Sequence, residues 1–240
     1  MYNKASKGVI LLIKGKVIIA IPAYNESDVI EYTIEGLKKI DVIDKIVVID
    51  DGSTDNTAEI AEKAGAVVIS LKENRGKGYA MKKALENIDC DIIGFVDGDV
   101  GLSSSEIGKL IEPVINDEVD FTIAQFPRAE KNTNVKGGFG LVKKLAKKGV
   151  YYYTGKEIET SLSGQRVYKR KVVDSMKYIP TNYGIEIAMT IQAINNGFSF
   201  KEIPVNMKHR YTDRSLKGFK HRGKQFVQIF TTLVILFFRR

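Results

Sequence analysis

The sequence predicts an α/β protein with a mostly parallel central sheet flanked by helices, and three observations lead there. Short β-branched apolar runs alternate with stretches of helical spacing over residues 16–100, which is the pattern of βαβ units. The apolar runs end in polar clusters, Ala23-Tyr24-Asn25-Glu26, Asp50-Asp51-Gly52-Ser53 and Asp97-Gly98-Asp99, and parallel sheets bind ligands at the carboxyl ends of their strands. The chain has 240 residues, 44% hydrophobic and 28% charged. It can therefore bury a core of its own, and collagen-like, low-complexity and fully disordered readings are excluded.

The elements follow in order. Residues 16–22 (KVIIAIP) form a short apolar run closed by proline, a buried strand. Residues 26–40 carry Val29, Ile30, Ile34, Leu37 and Ile40 at helical spacing. Residues 45–50 (KIVVID) are a second buried strand, and Ser53 or Thr54 caps a helix running to Ala64. Residues 66–70 give a third strand, 78–87 a helix and 91–96 (DIIGFV) a fourth strand. The second half is less regular, with strands at 120–124 and 198–205, a basic helix at 139–148, a helix at 185–195 and a C-terminal helix over 214–238.

One cysteine, Cys90, rules out an internal disulfide and a thiolate zinc cluster, and suits a reducing cytoplasm. Lys and Arg number 37 against 29 Asp and Glu, a net charge of +8. The excess lies entirely in residues 201–240, so the body is not a generic nucleic-acid binder. The N-terminal apolar run is broken by Lys14 and Lys16 and is not a signal peptide. The apolar stretch 226–238 falls short of the about 20 residues a spanning helix needs. It predicts a helix packed on the body or on a twin subunit, or one lying in an anionic membrane interface.

Three clusters carry the chemistry. Asp97 and Asp99 flank Gly98 where a strand ends, and side chains two apart on a strand share a face. Two hard oxygen donors suit Mg2+ or Mn2+, although a solvated turn has the same composition. Asp50-Asp51-Gly52-Ser53 sits at a strand-to-helix turn, where Asp51 could accept a uracil imide and the hydroxyls could cap the helix. Asn74-Arg75-Gly76-Lys77-Gly78 puts glycines and a cation just before a helix, a phosphate-binding arrangement that lacks the P-loop frame. The first strand has no G-x-G-x-x-G after it, and no G-x-S-x-G elbow occurs, which disfavours dinucleotide and α/β-hydrolase folds.

The ordered set IPAYNE (21–26), DDGSTDNT (50–57), NRGKG (74–78) and DGD (97–99) resembles the GT-A glycosyltransferases of the family 2 type. The resemblance implies one GT-A domain over residues 1–240. Residues 16–100 would form the nucleotide-sugar half, 101–212 the metal and acceptor half, and 213–240 a basic, apolar C-terminal helix. It implies a nucleotide-diphosphate-sugar donor, usually a UDP-sugar, held by Pro22, Ala23, Tyr24, Glu26, Asp51, Lys77, Asp97 and Gly98. LSGQR (162–166) and NYGIEI (182–187) look like acceptor-side segments of the glucosyl-3-phosphoglycerate and mannosylglycerate synthase branch. They nominate Gly164, Gln165, Arg166 and Tyr183, joined by Arg210 and Arg214, for the acceptor. Asp99 and His209 would hold Mn2+ or Mg2+, with Asp99 and Glu186 as catalytic groups. The Gly-Arg-Val-Thr type segment of that branch is replaced here by Lys136-Gly137-Gly138-Phe139-Gly140-Leu141. That departure sets polyprenyl phosphate beside a small phosphorylated acid as the acceptor expected. The alternative to an enzyme is a non-catalytic nucleotide-sugar-binding module at a membrane complex. A nucleic-acid contact through residues 208–224 explains their charge less simply than phosphate does.

Overall fold

A seven-stranded sheet carries the structure, a computed structural model that describes residues 13–126, 139–207 and 216–239. Its strands are β1 (Ile13–Ala23), β2 (Lys45–Asp50), β3 (Val67–Ser70), β4 (Ile88–Phe95), β5 (Phe121–Gln125), β6 (Arg166–Lys169) and β7 (Phe200–Pro204). They lie in the order β3-β2-β1-β4-β6-β5-β7. Among them β6 runs antiparallel to β4 and β5, and every other pairing is parallel. The helices are α1 (Ile30–Leu37), α2 (Thr57–Lys63), α3 (Lys77–Asn87), α4 (Gly108–Ile115), α5 (Phe139–Thr154), α6 (Arg170–Asp174), α7 (Ile185–Asn195) and α8 (Leu216–Phe238).

β1 is central and buried on both faces, which is why it reads as continuous apolar sequence rather than alternation. Val17, Ile19 and Ile21 face a core closed by Ile30, Ile34 and Leu37 of α1 and Leu110, Ile111 and Val114 of α4. Ile18 and Ala20 face the opposite core, with Ala80, Met81 and Ala84 of α3, Ile187 of α7, Val150 of α5 and Leu233 of α8. Each fully buried isoleucine contributes about 1.5–3 kcal/mol. The strand order reverses about β1, with β2 on one side and β4 on the other, and ligands settle in the crevice at such a switch point.

β2 and α7 occupy the ranges the sequence predicts, and the other expected elements shift at their ends. α1 starts at Ile30 because residues 26–29 form a turn, with the Val29 and Ile30 amides both donating to the Glu26 carbonyl. α2 starts at Thr57 because both hydroxyls expected to cap it turn to Asn25 instead, Ser53 accepting its N–H and Thr54 donating to its side-chain oxygen. α5 continues to Thr154. The 3-10 turn Gly101–Ile107, α4, β6 and α6 have no counterpart in the sequence reading. α5 and α8 lie side by side, with Gly149 against Leu233 and the Tyr153 hydroxyl donating to the Leu233 carbonyl at 2.7 Å.

Candidate active site

Strand register brings the polar clusters level. Ala23 pairs with Asp50 and Ala20 with Phe95, so the chain leaves β1, β2 and β4 along one edge of the sheet. The first two loops then lock together. Asn25, at φ 55°, accepts the Thr54 N–H on its side-chain oxygen at 2.9 Å. The Glu26 N–H donates to Thr57 Oγ1 at 2.8 Å. Asp50 accepts the Ser53 N–H at 3.0 Å. Asp51 accepts the Arg75 N–H at 3.0 Å and the Gly76 N–H at 2.6 Å, which seats the NRGKG loop. Burial pushes the Asp51 carboxyl above its ordinary range, against the pull of those two amides.

These loops enclose a cavity of about 230 Å3. Every residue the sequence assigns to the donor lines it: Pro22, Ala23, Tyr24, Glu26, Asp51, Lys77, Asp97 and Gly98, with Asp99 and Ala80 beside them. Tyr24 is partly exposed at the rim, an aromatic face suited to stacking on a base. The DGD turn is held from behind by Thr33 of α1, a residue with no signal of this role in the sequence. Its hydroxyl donates to the Gly98 carbonyl at 2.8 Å and accepts the Gly101 N–H at 2.9 Å.

Lys77, in the first turn of α3, joins this cavity to a second one of about 570 Å3. Its ammonium lies 2.5 Å from Asp97 Oδ1 and 3.4 Å from Glu186 Oε1. Burial alone would depress the lysine, but the two carboxylates outweigh it and hold Lys77 well above the ordinary range. Gln165 donates to the other oxygen of Asp97 at 2.9 Å. Gly164 presses on the same pair, and a Cβ there would meet Lys77 Nζ and come within 2.8 Å of Asp97 Oδ1. The antiparallel direction of β6 makes this possible. Arg166 pairs with Phe95, so the residues just before β6 arrive beside Asp97.

Gly164, Gln165 and Tyr183, nominated from the sequence for the acceptor, and Glu186, nominated as a catalytic group, all line the larger cavity. Burial raises the Tyr183 hydroxyl above its usual pKa. Arg166 corrects the sequence reading. It is fully buried, and its guanidinium donates to the carbonyls of Ser161, Ser163 and Glu186 and to Thr190 Oγ1, so it braces the cavity wall and faces no ligand. Its planar five-donor fork satisfies this ring of acceptors. Lys143, Lys144 and Lys147 of α5 also line the cavity. Their basic helix was legible in the sequence, but its placement over the site was not. His209, Arg210, Arg214 and Lys136-Gly137-Gly138 lie outside the described residues.

Asp97 and Asp99 supply two carboxylates on one wall of the smaller cavity, a donor set that fits a hard divalent cation. Among the described residues no group of three or more His, Cys, Asp or Glu converges on one point, so a further ligand would have to come from elsewhere.

Level strand ends, a carboxylate pair and a half-buried lysine meet at a sheet switch point, where α/β enzymes bind their ligands. Residues 18–176 match the model of glycosyl transferase family 2, and the chain belongs to that family. It is 27% identical to the UDP-N-acetylglucosamine–dolichyl-phosphate N-acetylglucosaminyltransferase of Methanococcus voltae, over 83% of this chain and 88% of that one. It is also 27% identical to the glycosyltransferase AglJ of Haloferax volcanii, over 89% of this chain and 71% of that one. The crystal structure of glucosyl-3-phosphoglycerate synthase from Mycobacterium tuberculosis with Mn2+, UDP and phosphoglyceric acid superposes with a TM-score of 0.74. That match has 23% identity and covers 91% of this chain and 77% of that one. The fold is therefore GT-A and the protein is a glycosyltransferase.

Proposed function

We propose that this enzyme transfers a sugar, glucose or a similar hexose, from a UDP-sugar to a phosphorylated acceptor, a polyprenyl phosphate or a small phosphorylated acid. The observation that carries this reading is that all the donor residues expected from sequence line one cavity, which shares Lys77 and Asp97 with the larger one holding Glu186. Asp51 and Tyr24 receive the base, and Lys77 offsets charge on the departing diphosphate. Asp99 and His209, with Asp97 nearby, would hold Mn2+ or Mg2+, which when bound neutralises that same diphosphate. An acceptor oxygen attacks the anomeric carbon, and the bond from that carbon to the diphosphate oxygen breaks with its electron pair leaving on the nucleotide. With a hydroxyl acceptor and inversion, Glu186 takes the proton. With a phosphate acceptor the attacking oxygen is already ionised near neutral pH, and no base is needed. The enzyme works in the cytoplasm, peripheral to the inner face of the membrane where a lipid acceptor would lie, and does not engage nucleic acid.

A panel of nucleotide sugars with Mn2+ or Mg2+, read as free nucleotide with and without polyprenyl phosphate or phosphoglycerate, tests the reading. One donor should release nucleotide in the presence of one acceptor, and Asp99→Asn should abolish most of it. Glu186→Gln should lower turnover by about 10²–10⁴-fold with a hydroxyl acceptor and far less with a phosphate acceptor. UDP binding without release from any UDP-sugar would favour the non-catalytic module instead.

A further inference from the structure

We infer that α5 and α8 together form a docking face for an anionic lipid bilayer. The conclusion rests on their exposed side chains and stands apart from the chemistry of transfer. Over its last four turns α8 is apolar apart from Gln225, Gln228, Thr231 and Thr232. Ile229, Leu233 and Leu236 are buried against the body, while Val227, Phe230, Val234, Phe237 and Phe238 are exposed, Phe230 by 53% and Phe238 by 81%. At 3.6 residues per turn these five fall in one continuous arc, separate from the arc of the buried residues. The neighbouring helix extends this surface, since α5 exposes Leu141, Tyr151 and Tyr152 together with Lys144 and Lys148. A water-facing helix has no use for such a ridge, and exposed apolar surface of this extent marks an interaction site.

Charge decides the partner. Neither helix contains a single Asp or Glu, and lysines border the ridge at Lys144, Lys148 and Lys224. Tyrosine and lysine flanking an apolar strip is the composition of an interfacial helix, and each basic residue near an anionic surface strengthens the attraction. A twofold pairing of two copies through the same ridge would set these lysines against their own counterparts with no carboxylate between them. No helix among the described residues is long and apolar enough to cross a membrane, so the pair lies in the interface. The arrangement also has a consequence for access. α5 and α8 contribute Lys143, Lys144, Gln225 and Ile229 to the larger cavity, so its mouth opens beside the lipid surface.

Sedimentation with sucrose-loaded vesicles tests this on the full chain, using phosphatidylcholine alone and phosphatidylcholine with about one third phosphatidylglycerol. Wild type should pellet with the anionic vesicles, bind the neutral ones at least about tenfold more weakly, and be released by 0.5 M salt (roughly a 4 Å Debye length). The double variant Phe230→Glu, Val234→Glu should lower partitioning about tenfold or more, with far-ultraviolet circular dichroism and melting temperature unchanged because both positions are exposed. Wild-type protein that stays in the supernatant overturns the inference. So does a double variant that binds as wild type does, or a vesicle-indifferent dimer that the double variant splits.

Discussion

Gly78→Ala separates two ways of reading the NRGKG motif. Gly78 sits in the first turn of α3, and helix propensity alone makes alanine there more stable by about 0.5–1 kcal/mol. The structure gives the opposite sign. A Cβ on Gly78 would lie 2.5 Å from the Asn182 carbonyl oxygen, 2.6 Å from the Asn182 nitrogen and 2.7 Å from the Thr181 carbonyl carbon. All three are backbone atoms, so no rotamer change relieves the contact. α3 must move off the 181–182 loop, at an overpacking cost of about 1–3 kcal/mol, which for a chain of this size lowers Tm by roughly 2–12 °C. The same movement pulls Lys77 on α3 away from Glu186 at the start of α7, now 3.4 Å apart. Activity should therefore fall by more than the loss of folded protein explains. Differential scanning fluorimetry gives Tm, and nucleotide release well below Tm gives turnover. Gly140→Ala is the control, since a Cβ there meets nothing within 4 Å, and it should leave Tm level or slightly raised. A Gly78→Ala protein that melts higher than wild type and keeps full activity would refute the close-approach argument.

Three further outcomes follow from groups outside the helix start. Arg166→Lys removes the fork that satisfies the carbonyls around it. Leaving buried acceptors unpaired should cost about 1–3 kcal/mol, seen as a fall in the denaturant midpoint, whereas a group touching only the acceptor would change KM and leave stability alone. Asp120 accepts from the Ser199 amide and hydroxyl and pairs with Lys171 at 2.7 Å. Burial by itself would raise its pKa, but those partners outweigh it and hold the carboxyl well below the usual range. Its stabilisation is thus fully present above the unfolded pKa of about 4 and is lost as pH falls through the lower folded value. Asp120→Asn should lower Tm at pH 7 and flatten the acid limb of Tm against pH below about pH 4. The Cys90 thiol is buried, and desolvation pushes it up to about 12 despite Arg170 nearby. It should react with a disulfide reagent at neutral pH only once denaturant unfolds the chain.

What the sequence disclosed and what it withheld differ by the range of the interactions involved. The donor half was legible because each of its strands is a local apolar run and each cluster sits where that run stops. β1, β2 and β4 then bring Ala23, Asp51 and Asp97 together through parallel pairing alone. The capping hydroxyls misled because Ser53 accepts the Asn25 N–H and Thr54 donates to the Asn25 side chain, contacts across about thirty residues that no helix-start signal encodes. β6 stayed hidden for a related reason. Arg166 reads as a surface residue or a ligand contact, and only the carbonyls of Ser161, Ser163 and Glu186, gathered from separate segments, allow its charge to be buried in a strand. Thr33 looked like an ordinary helical threonine until the DGD turn was seen folding over it. The acceptor wall is thus written in long-range satisfaction of polar groups. The same logic explains why Lys77 is the hinge of the site: a helix start that the sequence offers only as a phosphate cradle becomes, once β6 returns antiparallel beside β4, the single cation in contact with both Asp97 and Glu186 among the described residues.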